Sequence, residues 1–244
     1  MRYNDTIIVI PARFGSTRLP GKSLLDINGL PMVIRVMNIA QQLNICEVLV
    51  ATESEKVAEI VKQYGGTAIL TDKNLQSGTD RVFQALNNVP NKYDYIINLQ
   101  GDMPNIDGAI ILQIADILHE NKNTDIITAI YKIVDQSWRQ KPQCVKAVIS
   151  YNENINLHKC LYFSRSDVPN GSEDAFAHLG IYGYTQKSLE RFVSLSPSRL
   201  EKSEKLEQLR ALENDMSIYA TIVKHFPISV DVMEDLQEAR KIIK

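Results

Sequence analysis

An excess of charge of either sign is missing from this 244-residue chain: 27 Lys and Arg stand against 29 Asp and Glu, a formal net charge of −2. No global field therefore draws it to nucleic acid or to a membrane surface, and neither is expected as a partner. Long apolar runs are missing too; none approaches the ~20 residues that a membrane helix needs. Cysteine is scarce. Cys46, Cys144 and Cys160 are odd in number and widely spaced, which argues for reduced thiols in a cytoplasmic protein rather than a disulfide framework or zinc site. The first residues run straight into an apolar strand, so no secretory leader is expected, and the sequon Asn170-Gly171-Ser172 reads only as a turn. H-E-x-x-H, G-x-S-x-G and G-x-G-x-x-G are all lacking, which removes zincins, serine hydrolases and Rossmann dehydrogenases.

What remains is ordinary for a soluble enzyme, with 44% hydrophobic and 23% charged residues, on a chain long enough to bury a sizeable core. Strands and helices alternate. Ile7 to Ile10, "EVLVAT" (47–52), "TAIL" (67–70), "YDYIINLQGD" (93–102) and "DIITAIYKI" (125–133) read as strands. Helices are expected over 32–43, 54–64, 79–88 and 107–120. This order predicts an α/β fold with a doubly wound, mostly parallel, Rossmann-like sheet. From about Gln143 the pattern changes: "CVKAVIS", "KCLYFSR" and "LGIYGYT" look like longer strands, joined by a helix near 199–213. An inserted antiparallel subdomain is expected there, before a last strand and a helix over 234–243. The expected division is a core over 1–142, an insert over 143–215, and a return to the core over 216–244.

Residues 9–32, "VIPARFGSTRLPGKSLLDINGLPM", then raise a question. Two arginines and a lysine follow the first strand, where a connector is usually shorter and less charged. A Walker loop needs four residues between its glycines and a helix directly after the lysine; here five separate Gly15 from Gly21, and "DINGLP" follows. Arg13, Arg18 and Lys22 with free backbone N–H groups still suit a polyphosphate. A solvated basic loop fits the same residues equally well.

Ligands of open parallel sheets bind at the carboxyl ends of the strands. Two further unusual segments fall at such ends: "LQSGTDR" (75–81) and "LQGDMP" (99–104). Ser77 and Asp80 also form an S-x-x-D helix start, which leaves Gln76 and Arg81 unexplained. Asp102 is placed either to bind a magnesium ion bridging phosphates or to close a turn on its own backbone. Asp231 in "SVDVMEDL" begins D-x-x-E, again a capping pattern. In the aromatic-rich second half, Arg165, His178, Tyr182, Glu207 and Gln208 mix donors and acceptors among apolar neighbours. For His178 the competing reading is a satisfied core histidine, and for Glu207 and Gln208 the wet face of an amphipathic helix.

Taken together, "IPARFGSTRLPGKSL", "QSGTDR", "QGDMP", "YFSRS", "HLGIYGY", "LEQLRAL" and "SVDVMEDL", in this order and across essentially the whole chain, closely resemble the 3-deoxy-manno-octulosonate (Kdo) cytidylyltransferases. The resemblance implies a nucleotidyltransferase sheet, CTP and Kdo as substrates, CMP-Kdo for lipopolysaccharide synthesis and pyrophosphate as products, Mg2+ as cofactor, and a homodimer joined through the insert. A cytidylyltransferase for another acid sugar, such as an amino-Kdo or a nonulosonate, remains the alternative. It implies that Lys22, Arg18 and Asp102 are catalytic, and that Ala12, Arg13, Lys22, Gln76, Ser77, Gly78, Arg81 and Gln100 bind the nucleotide. Asp102 and Asp231 would ligate the metal, and Arg165, His178, Tyr182, Glu207 and Gln208 would line the sugar pocket, with Arg165 on the sugar carboxylate. The chain departs from the family pattern at Met103, Val232 and Met233, and its segment 169–178 looks shorter.

Overall fold

Strand β1, Thr6–Pro11, is buried along its whole length, as β-branched and uncharged residues are when a parallel sheet covers them on both faces. The computed structural model describes residues 2–16, 18–75, 77–121, 124–152, 156–172 and 174–243. After β1 and the basic loop, β2 (Asp26–Ile27) and β3 (Leu30–Pro31) form a small antiparallel hairpin. Its turn is Asn28-Gly29, with φ of 48° and 92°, the pair that a two-residue turn with positive φ at both positions selects. Helix α1 (Met32–Gln42) follows, with Met32, Val33, Val36, Met37 and Ala40 on its buried face.

Then come β4 (Glu47–Thr52), α2 (Glu55–Gln63), β5 (Thr67–Leu70), α3 (Gly78–Leu86), β6 (Tyr95–Leu99) and α4 (Gly108–Glu120). The next elements are β7 (Ile126–Lys132), β8 (Lys146–Ser150), β9 (Leu157–Ser164) and β10 (Phe176–Thr185). Helices α5 (Gln186–Ser194), α6 (Arg199–Glu204) and α7 (Gln208–Glu213) precede β11 (Ile218–Val223) and α8 (Met233–Ile242).

The chain forms two compact units. One comprises Met1–Leu112 with Pro227–Lys244, the other Gln113–Phe226. In the first, strands run β5-β4-β1-β6, all parallel. In the second the order is β10-β7-β11-β9-β8, with β7 and β11 parallel and the other neighbours antiparallel. β8 also pairs with the start of β10, so this order runs round to its beginning.

The fold is therefore mixed α/β; the parallel sheet that the sequence predicts is seen in the first unit, whereas in the second only β7 and β11 run parallel. The boundaries expected at 142/143 and 215/216 differ from those of the structure. The reason is hydrogen bonding: β7 and β11 look like core strands in sequence, but they pair with each other and with β10 and β9, and so belong to the second unit. The helix expected near 199–213 is two short ones, interrupted at Lys205, whose φ is 56°. Helix α5, capped by Thr185 and Ser188, is an addition to the expected elements. Among the described residues, no helix is long and apolar enough to cross a membrane.

Gly183 in β10 lies where helix α4 presses on the sheet; an added Cβ would come within 2.7 Å of Leu118 Cδ1 and 2.9 Å of Ile114 Cγ2. Gly183→Ala is expected to lower stability by ~1–3 kcal/mol, the usual range for overpacking. Urea unfolding measures it, and an unchanged midpoint would show that Leu118 yields without strain.

Candidate active site

The loops after β1, β5 and β6 line one cleft of about 300 Å³, together with Asp231 from the C-terminal return. Its wall includes Ala12, Arg13, Arg18, Lys22, Ser77, Gly78, Arg81, Gln100 and Asp102. The first unit thus brings together every nucleotide, metal and catalytic candidate except Gln76, which lies outside the described residues.

Lys22 opens a short 3-10 turn, Lys22–Leu24, at the end of the basic loop. Its Nζ donates to Asp102 Oδ2 at 2.8 Å and to Asp231 Oδ1 at 2.9 Å. Arg18 Nη2 reaches Asp231 Oδ2 at 3.1 Å from a side chain that is 61% exposed. Burial pulls the Lys22 pKa down, but the two carboxylates outweigh it and leave the ammonium held above its ordinary value. Burial likewise pushes Asp231 up, and Lys22 and Arg18 reverse this, so its carboxyl sits below the usual range. Main chain supports the arrangement: Val230 N donates to Asp102 O at 2.9 Å.

The capping readings divide. Ser77 Oγ accepts from Asp80 N at 3.1 Å and donates to Asp80 Oδ2 at 2.9 Å, so Ser77 and Asp80 do start α3. Asp231 does not cap α8. Asp235 Oδ2 accepts from the backbone N–H groups of Asp231 and Val232 instead, which leaves the Asp231 side chain to the cations. Met103, where the family pattern has an acid, is 3% exposed and packs in the core.

Arg81 is buried, and its guanidinium is engaged by Glu53 Oε2 at 3.1 Å and by Thr71 Oγ1. Burial lowers its pKa, Glu53 opposes that, and nearby Arg13 adds to the lowering. Asn98 Nδ2 donates to Thr79 Oγ1, and Gln100 Nε2 to Asn98 Oδ1, each at 3.2 Å, which fixes the Gln100 amide at the cleft. Sequence reasoning missed Glu53. The available signal was its place directly after β4, at the same carboxyl edge as the other loops.

The sugar-pocket candidates all fall in the second unit. His178 and Tyr182 have ring centroids 5.4 Å apart, and Tyr182 OH donates to Gln208 Oε1 at 3.3 Å. His178 Nε2 bonds Thr128 Oγ1 at 2.9 Å. Since the Thr128 hydroxyl donates to Ile181 O at 2.8 Å, the imidazole is the donor and carries its proton on Nε2. Burial pushes its pKa down to about 3, which keeps it neutral. Burial also drives the Tyr182 phenol well above its ordinary value, with Glu207 next in effect. Gln208 Nε2 is buried with no partner among the described residues. Glu207 and Gln208 are not simply a wet helix face: Gln208 is 3% exposed. Arg165 donates to the carbonyls of Glu204 and Pro142 at 3.0 Å and of Lys205 at 3.5 Å. It does not pair with Asp167, which Arg139 takes at 2.7 Å; Glu173 lies outside the described residues.

A cation-lined cleft at the carboxyl ends of parallel strands, with two convergent carboxylates, defines a nucleotide-handling α/β protein. A model of the cytidylyltransferase family matches residues 7–218. A 3-deoxy-manno-octulosonate cytidylyltransferase of Rhodospirillum rubrum is 43% identical over 97% of this chain and 95% of its own. One of Rickettsia prowazekii is 43% identical over 100% and 97%. Among solved structures, a CMP:2-keto-3-deoxy-manno-octonic acid synthetase complexed with CTP superposes with a TM-score of 0.89, at 34% identity over 98% of each chain. A UDP-glucose pyrophosphorylase, at 15% identity over 97% of each chain and a TM-score of 0.70, shares the fold alone. The chain belongs to the cytidylyltransferase family.

The shifted groups set the pH dependence of the cluster. Asp231, depressed in the folded state, contributes stability above the unfolded carboxyl value of ~3.9 and loses it as pH falls through the depressed one. Lys22, raised, contributes below ~10.4 and loses its contribution as pH rises through its folded value. The stability difference between wild type and Asp231→Asn should be flat across roughly pH 5–9 and shrink at both extremes. Urea titrations over pH measure it. A difference unchanged in strong acid would mean that the carboxylate's charge is not what the cluster uses.

Proposed function

We propose that this chain is a 3-deoxy-manno-octulosonate cytidylyltransferase, converting CTP and Kdo into CMP-Kdo and pyrophosphate. The observation that carries the reading is the Lys22 ammonium between Asp102 and Asp231, beside Arg13 and Arg18 in one cleft. The full-length similarity to enzymes of that name supports the sugar.

The anomeric hydroxyl of the sugar attacks the α-phosphorus and pyrophosphate leaves, so the protein's task is largely positioning and charge neutralisation. Arg13, Arg18 and Lys22 grip the triphosphate, and Ser77, Gly78 and Gln100 bound the nucleoside end of the cleft. Arg18 and Lys22 are placed to follow charge onto the leaving pyrophosphate. The two carboxylates already converge on one cation, as a magnesium site requires, and the described residues hold no larger group of possible ligands. Two carboxylates with the remaining positions left to phosphate and water suit Mg2+. Asp102 and Asp231 would hold it, and when bound it supplies neutralisation of phosphate charge. Lys22, which lies between the same two carboxylates, would also be within reach of a phosphate oxygen. In the second unit, neutral His178, Tyr182 and Gln208 offer hydrogen bonds to sugar hydroxyls, and the unpartnered Gln208 Nε2 suits such a ligand. Arginine carries five N–H donors, so the carbonyl bonds of Arg165 do not exhaust it for the sugar carboxylate. A homodimer through the second unit fits the exposed Leu161 on β9.

Pyrophosphate release with CTP and a panel of acid sugars tests the reading; Kdo should be turned over fastest, and a preference for an amino-Kdo or nonulosonate would replace it. Asp102→Asn and Asp231→Asn should each lower kcat by ~100-fold or more, since losing such charge stabilisation costs ~3 kcal/mol. Because Asp235 does the capping, near-normal turnover of Asp231→Asn would remove Asp231 from the metal. Lys22→Ala should raise the KM for CTP more than for Kdo, and Lys22→Arg should rescue incompletely, a planar fork being a poor substitute for a point charge.

Arg165→Leu separates a clamp from a brace. Loss of a charged hydrogen bond, ~1.5–3 kcal/mol, predicts a KM for Kdo raised ~10- to 150-fold with CTP binding unchanged. Equal weakening of both substrates with a lower melting temperature would leave only the brace that the three carbonyl bonds describe.

A further inference from the structure

We infer that Glu53 is a positioning residue for CTP, joining the start of the basic loop to buried Arg81 through a single carboxylate. The inference rests on the reading of this cleft as the CTP site. Glu53 Oε1 accepts from the backbone N–H of Phe14 at 2.8 Å and of Gly15 at 3.4 Å. Its Oε2 is buried and pairs with Arg81 Nη1 at 3.1 Å through charge alone, without hydrogen-bond geometry. Arg81 in turn reaches Thr71 Oγ1 and, at 3.4 Å, Asp72 O. Two side chains, Glu53 and Arg81, therefore tie together the residues that follow β1, β4 and β5 and the first turn of α3.

Glu53 does not itself line the cleft, whereas Ala12, Arg13 and Arg81 do. Its effect must pass through them. The bonds to Phe14 and Gly15 fix the peptide directly after Arg13, and hence the direction from which Arg13 enters the cleft. Ala12 N is held from the other side by Ala51 O at 2.8 Å, and Lys56 Nζ lies 5.9 Å from the Phe14 ring centroid. The carboxylate also neutralises Arg81, which would otherwise face Arg13 as one cation against another. The loop needs an acceptor oxygen, and Arg81 needs a negative charge on the oxygen that faces it. A carboxamide has one oxygen, so it can serve the loop or the arginine but must turn an N–H donor toward the other.

The test titrates CTP, with Mg2+, into full-length wild type, Glu53→Gln, Glu53→Asp and Ser54→Ala, with KM for both substrates and melting temperatures in parallel. Ser54 is the neighbouring helix cap, accepting from Val57 N, so its loss reports a purely structural change. Glu53→Gln should weaken CTP binding by ~10- to 100-fold, the range for a charged hydrogen bond, with kcat and the KM for Kdo changed less than about threefold. Glu53→Asp, which keeps the charge on a shorter arm, should fall between, and Ser54→Ala should melt lower with CTP affinity intact. Unchanged CTP affinity in Glu53→Gln overturns the inference, as does equal weakening of both substrates in step with melting temperature. If Glu53→Gln does not fold, Glu53→Asp carries the test, and wild-type CTP affinity there overturns it. Failure of wild type to bind CTP would instead sink the cleft assignment itself.

Discussion

One ammonium held by two carboxylates is the contact on which the rest of the first unit turns. Lys22 meets Asp102 across 80 positions of sequence and Asp231 across 209. The two carboxylates hold the Lys22 ammonium above its ordinary value, and Lys22 and Arg18 hold the Asp231 carboxyl below its own. Yet such a cluster cannot hold itself together, because desolvating three charged groups offsets much of what their attraction returns. The apolar packing around it does that. Leu19, Ile27, Met32, Val230, Leu236 and Ala239 form one buried cluster drawn from the basic loop, the hairpin, α1, the C-terminal return and α8. Burial of those side chains places Lys22 and Asp231 within bonding distance, and the ionic contact then fixes their geometry.

The two units divide the chemistry by charge. The cleft of the first collects arginines, a lysine and aspartates, as a triphosphate demands. The candidate residues of the second are mostly neutral or made so: His178 is held unprotonated by burial, and the Tyr182 phenol is kept from ionising. A neutral, rigid lining costs little to desolvate and distinguishes hydroxyl patterns by geometry, because a donor left unmatched in a buried site is expensive. Gln208 Nε2 is such a donor.

Much of this was legible in sequence. Strands at 47–52 and 67–70 coincide with β4 and β5 to the residue, because short runs bounded by turn residues carry their own limits. What was missed depended on pairing or on local chemistry. "DINGLP" contains Asn28-Gly29, a strong two-residue hairpin signal, but it reads as loop when the surrounding lysine and prolines suggest a binding segment. β7 looks like one more parallel strand; only its partners reveal the second unit. At the site, Lys22, Asp102 and Asp231 were each identified, though nothing in their spacing states that they touch. Asp231 and Asp235 lie four apart near one helix start, and sequence could not say which would cap it. Glu53 was hidden because a Glu ahead of a Ser-capped helix has a sufficient local explanation.

Met103 keeps charge out of a buried position next to Asp102 in sequence. It follows Asp102 directly, yet it is 3% exposed, so an acid in its place would have to be buried, and among the described residues the nearby cations are already engaged. Lys22 is shared between two carboxylates, Arg18 is on one of them, and Arg81 is matched by Glu53. Arg13 remains exposed on the cleft wall. An added carboxylate at this buried position would either protonate or need a cation drawn from an existing pair. An apolar side chain needs neither, and the cleft lining keeps Arg13, Arg18, Lys22 and Arg81 against Asp102 and Asp231.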